Sequence, residues 1–421
     1  MELTADVIKR EPSKIFRWLI LLFVSLAMFG NYYVYDSISP LADLLSKQLH
    51  FHDSDIGILN AIYSIPNVFM VLIGGIIIDK FGTRISSFVF ALLCLLGASL
   101  TAVSGTLTFM AAGRLIFGLG AESLIVAVTT IMGKWFKGKE LSFAFGLNLT
   151  LARLGSFAAL NSPSWGKAFY NNWQIPLVVA ASIATISVLS VIVYWGMDVY
   201  ASKKFILGDV AKQDEVHFKE IFSFSKSYWF VVMLCVTFYS AIFPFQTFAV
   251  KFFMEVHGTT REFGGFLSSM LTLSAMILTP LFGLFVDYYG KRSLLMMIGS
   301  LILVPVYLLM AYTKVSLFVP MAMMGLSFSL IPAVMWPSVT IIVEESKLGT
   351  AYGLMTMIQN IGLAGFNLLI GWANDFSGGY TMGMWIFSIL GFSGMLFSFL
   401  LRRSELGPKG HGLEKGFSKS A

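Results

Sequence analysis

Two charged residues of this chain stand where charge is costly. Glu122 lies inside the apolar run GRLIFGLGAESLIVAVTTIMG (113–133), and Arg153 inside FAFGLNLTLARLGSFAAL (143–160). Read as membrane-crossing helices, these runs place the two residues about ten and twelve positions from the same basic ends, ~15–18 Å deep at 1.5 Å per residue. Ionisable groups at that depth are costly and mark solute paths. Opposite charges at matching depth on adjacent helices suit either a salt bridge that locks the helices or two anchors for a zwitterion, and anchors are the expectation. Arg114 lies two turns before Glu122, with packing or conformational coupling as its alternatives. Asp36 ends the cluster Asn31-Tyr32-Tyr33-Val34-Tyr35-Asp36 and could bind solute, carry a proton or cap a helix.

Polar and aromatic side chains in other apolar runs complete a candidate cavity. They are Tyr35, Tyr63, Asn148, Tyr239 and Gln246 around Pro244, Trp336 between Pro332 and Pro337, and Gln359 with Asn360. Each taken alone also suits interhelical packing. No nucleophile–base pair, metal-ligand cluster or nucleotide motif stands out, so neither an enzyme nor a cofactor or metal site is expected. Cys94 and Cys235 sit in apolar runs and read as small buried hydrophobes.

The elements that must position these residues follow from composition. Of 421 residues, 57% are hydrophobic and 12% charged, against about 25% charged in soluble domains. Twelve apolar runs are long enough to cross a ~30 Å hydrocarbon core as helices. They fall near 17–39, 56–79, 85–105, 107–132, 141–163, 175–198, 227–254, 262–287, 292–312, 316–343, 347–373 and 379–401. The predicted fold is an all-α membrane protein of two parallel six-helix bundles, 1–198 and 227–401. A linker over 199–226 joins them, and 402–421 is expected to be a disordered tail. Within the linker, HFKEIFSF (217–224) suits an amphipathic surface helix.

Of the 29 Lys and Arg, only Lys47, Lys167, Lys251, Arg261 and Lys314 fall in loops on one side, and Arg114 and Arg153 inside spans. The remainder share the other side with both termini, which the positive-inside rule makes cytoplasmic. Basic residues so scattered among short loops exclude nucleic acid as a partner. The partners expected are a small-molecule solute and the lipid bilayer, with the chain acting as a monomer. Short loops leave little surface for a receptor or scaffold.

The halves are copies. Gly75-Ile-Ile-Ile-Asp79-Lys80-Phe81-Gly82-Thr83-Arg84 recurs 208 residues later as Gly283-Leu-Phe-Val-Asp287-Tyr288-Tyr289-Gly290-Lys291-Arg292, and Phe145-Gly146-Leu147 recurs as Tyr352-Gly353-Leu354. In each copy the first glycine (Gly75, Gly283) permits close helix approach. The aspartate (Asp79, Asp287) can bond a neighbouring helix N-terminus. The second glycine (Gly82, Gly290) permits a tight turn, and Arg84 and Arg292 hold the loop at the membrane face. Such a loop can act as a latch that breaks when the halves rock. The strong charges are not duplicated: the counterparts of Arg153 and Glu122 are Asn360 and Ser329.

The repeated loop resembles the signature of the major facilitator superfamily. Further segments resemble its lysosomal dipeptide transporter family. They are Tyr35-Asp36, Tyr63-Ser64-Ile65-Pro66-Asn67, GRLIFGLGAESL (113–124), WFKGKELSFAFGLNLTLARLGS (135–156), Phe243-Pro244-Phe245, MWPS (335–338) and LGTAYGLMTMIQNIGLA (348–364). The resemblance implies a dipeptide facilitator (a uniporter) working by alternating access. It implies that Glu122 and Arg153 serve the amino and carboxyl ends of the dipeptide, and that Trp336 is the tryptophan before proline of that family. Ile65 departs from the family, where a tryptophan is expected. The alternative is a proton-coupled symporter of organic anions or other small polar solutes. Arg114 and Arg153 would then hold the anion, and Asp36 or Glu122 the proton. Short loops and the absence of a dileucine sorting signal in the N-terminal stretch favour a bacterial inner membrane over a lysosomal one.

Overall fold

The computed structural model describes residues 12–136, 140–205, 224–408 and 410–415. In chain order the helices are α1 (Lys14–Asp36), α2 (Ala42–Leu49), α3 (Asp53–Val103), α4 (Leu107–Phe136), α5 (Leu141–Leu160), α6 (Ser162–Trp165) and α7 (Gln174–Lys204). They continue as α8 (Lys226–His257), α9 (Arg261–Tyr289), α10 (Arg292–Tyr312), α11 (Phe318–Ile342), α12 (Leu348–Ser377) and α13 (Thr381–Glu405). Ser13, Ser225 and Thr260 cap the N-termini of α1, α8 and α9 by accepting backbone N–H groups.

Among the described residues, 11 helical segments are long and apolar enough to cross a membrane. One of them, α3, is broken at Gly82, where φ is 77° and ψ 163°. Its two arms are the second and third of the twelve expected spans. Gly290 makes the matching turn between α9 and α10 at φ 67°. A side chain at either position would meet the steric barrier to positive φ.

The repeat is visible in the packing. α1 packs on α5 and α7 just as α8 packs on α12 and α13. The arms of α3 pack on α4 as α9 and α10 pack on α11, and α7 lies on α3 as α13 lies on α10. The halves meet through α3 with α12 and α5 with α9, an exchange of equivalent helices.

Among the described residues, every hydrogen bond and ion pair between the halves lies at one end, where α3 begins. Lys251 and Asp53 form a buried ion pair, and Asn374 Nδ2 donates to Asp53 Oδ2 at 2.9 Å. The Asp375 carboxylate accepts the backbone N–H groups of Asp53 and Ser54, which suits the positive end of α3. Arg261 holds Asp43 through two nitrogens at 2.6 and 3.2 Å. The Ser39 hydroxyl donates to the Gln246 carbonyl at 2.5 Å, and the exposed Lys167 pairs with Glu262. The backbones approach closely here: a Cβ on Gly371 would lie 2.5 Å from the Asp53 carbonyl oxygen.

At the opposite end each half is tied to itself. Asp198 on α7 gathers Arg84, Lys134 and the Trp135 indole N–H. Two expectations are corrected here. Among the described residues, Asp79 is exposed without a hydrogen bond or ion pair, and Asp287 pairs with Arg292 at 2.8 Å, so neither bonds a neighbouring helix N-terminus there. Gly283 has nothing within 4 Å of a Cβ, whereas in the first copy Gly74, next to Gly75, lies close against Ser123 on α4. The physical reason is that, among the described residues, the hydrogen bonds and ion pairs between the halves lie at the far end, away from these aspartates.

The tail also departs from expectation. Helix continues to Glu405, and residues 410–415 fold back. Leu413 is fully buried, and Lys291, Arg292 and Ser293 donate their backbone N–H groups to Glu414 and Leu413. The open N–H groups of the first turn of α10 need acceptors, and the tail supplies them. Residues 416–421 lie outside the described residues. So does the expected surface helix over 217–224, apart from Phe224.

Widening the joined end should expose it without unfolding either half. Gly371→Leu is expected to speed maleimide labelling of Ser46→Cys in a Cys94→Ala, Cys235→Ala background. Gly146→Leu, whose Cβ meets nothing within 4 Å, is expected to leave that labelling unchanged.

Candidate functional site

Both halves contribute to one cavity of about 290 Å³. From the N-terminal half it is lined by Asn31, Tyr32, Tyr35 and Asp36 of α1, Tyr63 of α3, Glu122 and Ile125 of α4, and Arg153 of α5. From the C-terminal half come Tyr239, Phe243 and Gln246 of α8, Thr272 of α9, Trp336 of α11, and Thr356, Gln359, Asn360 and Leu363 of α12. The apolar helices carry these groups inward because their opposite faces meet hydrocarbon or their neighbours.

Glu122 and Arg153 both face this space and are not paired with each other. Among the described residues, Glu122 has no hydrogen bond or ion pair, and Arg153 donates no hydrogen bond. The Arg153 guanidinium lies instead 5.4 Å from the ring centres of Tyr32 and of Phe328. A permanent salt bridge, one of the two readings of their depth, is therefore absent from this structure. Asp36 also reaches the cavity without an ion pair among the described residues.

The aromatic lining is held by its own contacts. The Trp336 indole donates to the Tyr239 hydroxyl at 3.0 Å, and the Tyr352 hydroxyl donates to the Trp336 carbonyl at 3.0 Å. Tyr239 stacks on Phe243, which meets Tyr35 edge-on from across the two halves at 6.3 Å. Tyr35 packs on Tyr63 at 4.9 Å. The Cys235 thiol donates to Gln359 Oε1, and Asn360 Nδ2 donates to the Thr356 carbonyl.

One expected member, Asn148, stands elsewhere, and Arg114, expected in packing or coupling, also lies outside the cavity lining. Asn148 accepts a hydrogen bond from Ser25 at 3.0 Å and joins α5 to α1 rather than lining the cavity. Arg114 is 1% exposed and lies behind the cavity wall. It donates to the Leu59 and Val34 carbonyls and to Asn60 Oδ1, and sits over the rings of Tyr35, Tyr63 and Phe117. Its donors are satisfied internally, so it supports packing around Tyr35 and Tyr63 and not an anion in the cavity. Sequence reasoning missed Ile125, Thr356 and Leu363, although helical spacing from the anchors points to them. Ile125 follows Glu122 by three, and Thr356 and Leu363 flank Gln359 and Asn360 on one face. Nothing in the sequence marked Thr272.

A family model described as Major Facilitator Superfamily matches residues 24–260 and 229–420, the two copies of the repeat. The chain belongs to the major facilitator superfamily. As a member it is a multi-pass integral membrane transporter of a small molecule and not an enzyme. It is 33% identical over 376 residues to the lysosomal dipeptide transporter MFSD1 of Danio rerio, covering 86% of this chain and 81% of that protein. Identity to the same transporter of Homo sapiens is 32% over 383 residues, covering 87% and 82%. Among solved structures, the nucleoside transporter NupG superposes with a TM-score of 0.75 over 91% of this chain and 99% of its own, at 17% identity. That likeness carries the superfamily fold.

The unpaired charges predict opposite responses in stability and in binding. Removing a buried group whose partners stay behind leaves those partners unsatisfied, at about 1–3 kcal/mol each. Arg114→Gln is therefore expected to lower the melting temperature in detergent by several degrees. Glu122→Gln removes an unpaired charge from a site with no partner to orphan, and is expected to keep or raise it. A clear fall for Glu122→Gln would reveal a partner that this structure does not contain.

Proposed function

We propose that this transporter is a facilitator of dipeptides, binding the ammonium end at Glu122 and the carboxylate end at Arg153. The observation that carries the reading is that both side chains line one cavity and neither has an ionic partner among the described residues. A zwitterion supplies both missing partners at once, and the desolvated pairs gain strength from the low dielectric around them. The likeness to the dipeptide transporter MFSD1 over most of both chains supports the same reading. Trp336, Tyr239, Tyr35, Tyr63, Gln359 and Asn360 then surround the peptide unit and side chains.

The cycle we propose is alternating access. The basic loops are cytoplasmic and the membrane is a bacterial inner membrane, so the joined end with Asp53, Lys251 and Asp375 faces outward. The described state is then closed outside. Gly75, Asp79, Gly82, Arg84 and Arg114 in the first copy, with Gly283, Asp287, Gly290 and Arg292 in the second, serve the change of state. Ligand shifts the balance between states by binding them unequally. The whole cavity comes from one chain, which supports a monomer as the working unit.

A second reading, a proton-coupled symporter, is kept because Asp36 reaches the cavity without an ion pair among the described residues. It would titrate with the solute aboard, whereas a facilitator needs no proton.

Purified protein in liposomes distinguishes these readings. Labelled alanyl-alanine should equilibrate across the membrane, and an imposed pH gradient should not concentrate it. Glu122→Gln and Arg153→Ala are each expected to cut uptake tenfold or more, the equivalent of ~1.4 kcal/mol. Unchanged uptake in both variants would remove these anchors from the mechanism. Accumulation driven by the gradient would favour symport.

A further inference from the structure

Arg153 is held in an unusual way. Its guanidinium donates no hydrogen bond among the described residues, yet it lies within cation–π range of two rings, each 5.4 Å away. Tyr32 belongs to α1 of the same half. Phe328 belongs to α11 of the other half, so this contact crosses the divide. Phe328 is itself fixed: it is 3% exposed, stacks on Phe238 at 6.4 Å and meets Phe243 edge-on at 6.0 Å.

The comparison with Arg114 is instructive. That guanidinium also lies within 5.2–5.7 Å of three rings, but its N–H groups are bound to two carbonyls and an amide oxygen. Ring contact restrains a guanidinium through its charge and leaves its N–H donors free. At Arg114 those donors are used by the protein. At Arg153 they remain for a ligand.

We propose that Phe328, together with Tyr32, is a positioning residue that presents Arg153 to a ligand carboxylate. Through it the C-terminal half takes part in recognising that carboxylate without carrying a charge of its own. The position next to Phe328, Ser329, is the repeat counterpart of Glu122, and its hydroxyl is turned back onto the Gly325 carbonyl. The C-terminal half, which lends the cavity lining no charge, therefore meets the ligand's acid end by way of an aromatic ring on the other half's arginine. This rests on the reading that Arg153 receives the carboxylate.

The test compares a ligand with and without that carboxylate. Uptake of labelled alanyl-alanine into liposomes is competed by unlabelled alanyl-alanine and by its C-terminal amide, giving an inhibition constant for each. Wild type is expected to prefer the acid. Phe328→Leu is expected to weaken the acid by about 2- to 30-fold, the span of a cation–π contact, and to leave the amide unchanged. Phe328→Tyr, which keeps a ring, is expected to restore the preference.

Retained affinity for the amide also shows that Phe328→Leu is folded. Should that variant not fold, Tyr32→Leu carries the same comparison. If wild type binds neither ligand, or both alike, the reading of Arg153 fails and takes the proposal with it. If wild type prefers the acid but the ring variant weakens both ligands equally, Phe328 only fills space and the proposal alone is overturned.

Discussion

A charge held in a membrane-spanning helix without a counter-ion destabilises the protein that holds it. Glu122 and Arg153 are two such charges, and they share one cavity. Arg114 shows what the same chain does when an arginine has a structural role: every contact around it is made internally. The difference between the two arginines separates the cavity from its scaffold. The frame around the cavity follows from this constraint. Apolar helices wall the cavity with low-dielectric surface, and rings lie against the guanidinium without consuming its donors.

The second feature is the joint between the halves. At one end a buried ion pair holds α3 to α8, and a capped helix terminus and close backbone contacts hold α3 to α12. At the other end, ties run inside each half. Asp198 gathers Arg84, Lys134 and Trp135 in the first. In the second, the returning tail caps α10, and Glu405 binds Ser227 and His411. Two firm bodies joined at one end can rock about that joint. The charges sit in the N-terminal half and the C-terminal half closes over them with Tyr239, Trp336 and Phe328, so the halves are alike in fold and unlike in chemistry.

Much of this was legible in the sequence, for physical reasons. Spans are visible because every stretch of helix in hydrocarbon must be apolar, and Glu122, Arg153 and Asp36 are visible because they break that rule. The repeat is visible because Gly82 and Gly290 make turns that few other residues could. What crosses between the halves was not legible. Lys251 and Arg261 read as loop charges that set orientation, and Asp43 and Asp53 carried no signal, since nothing local reveals that a partner two hundred residues away buries them. Phe328 is one apolar residue among many until the fold places it on Arg153. Asn148 misled because a polar group in a span suits a cavity and an interhelical hydrogen bond equally well. The tail misled because its acceptors gain a purpose only beside the open end of α10.

The central claim is that the unpaired charges wait for the two ends of a zwitterion. A chemical double-mutant cycle tests it most directly, pairing Glu122→Gln with N-acetylation of alanyl-alanine and reading affinity by calorimetry on purified protein. If the ligand ammonium sits on Glu122, each change alone should weaken binding, and the two together should cost little more than either one, since they remove the same interaction. Independent, additive losses would contradict the account, because the ammonium would then be held by something other than Glu122.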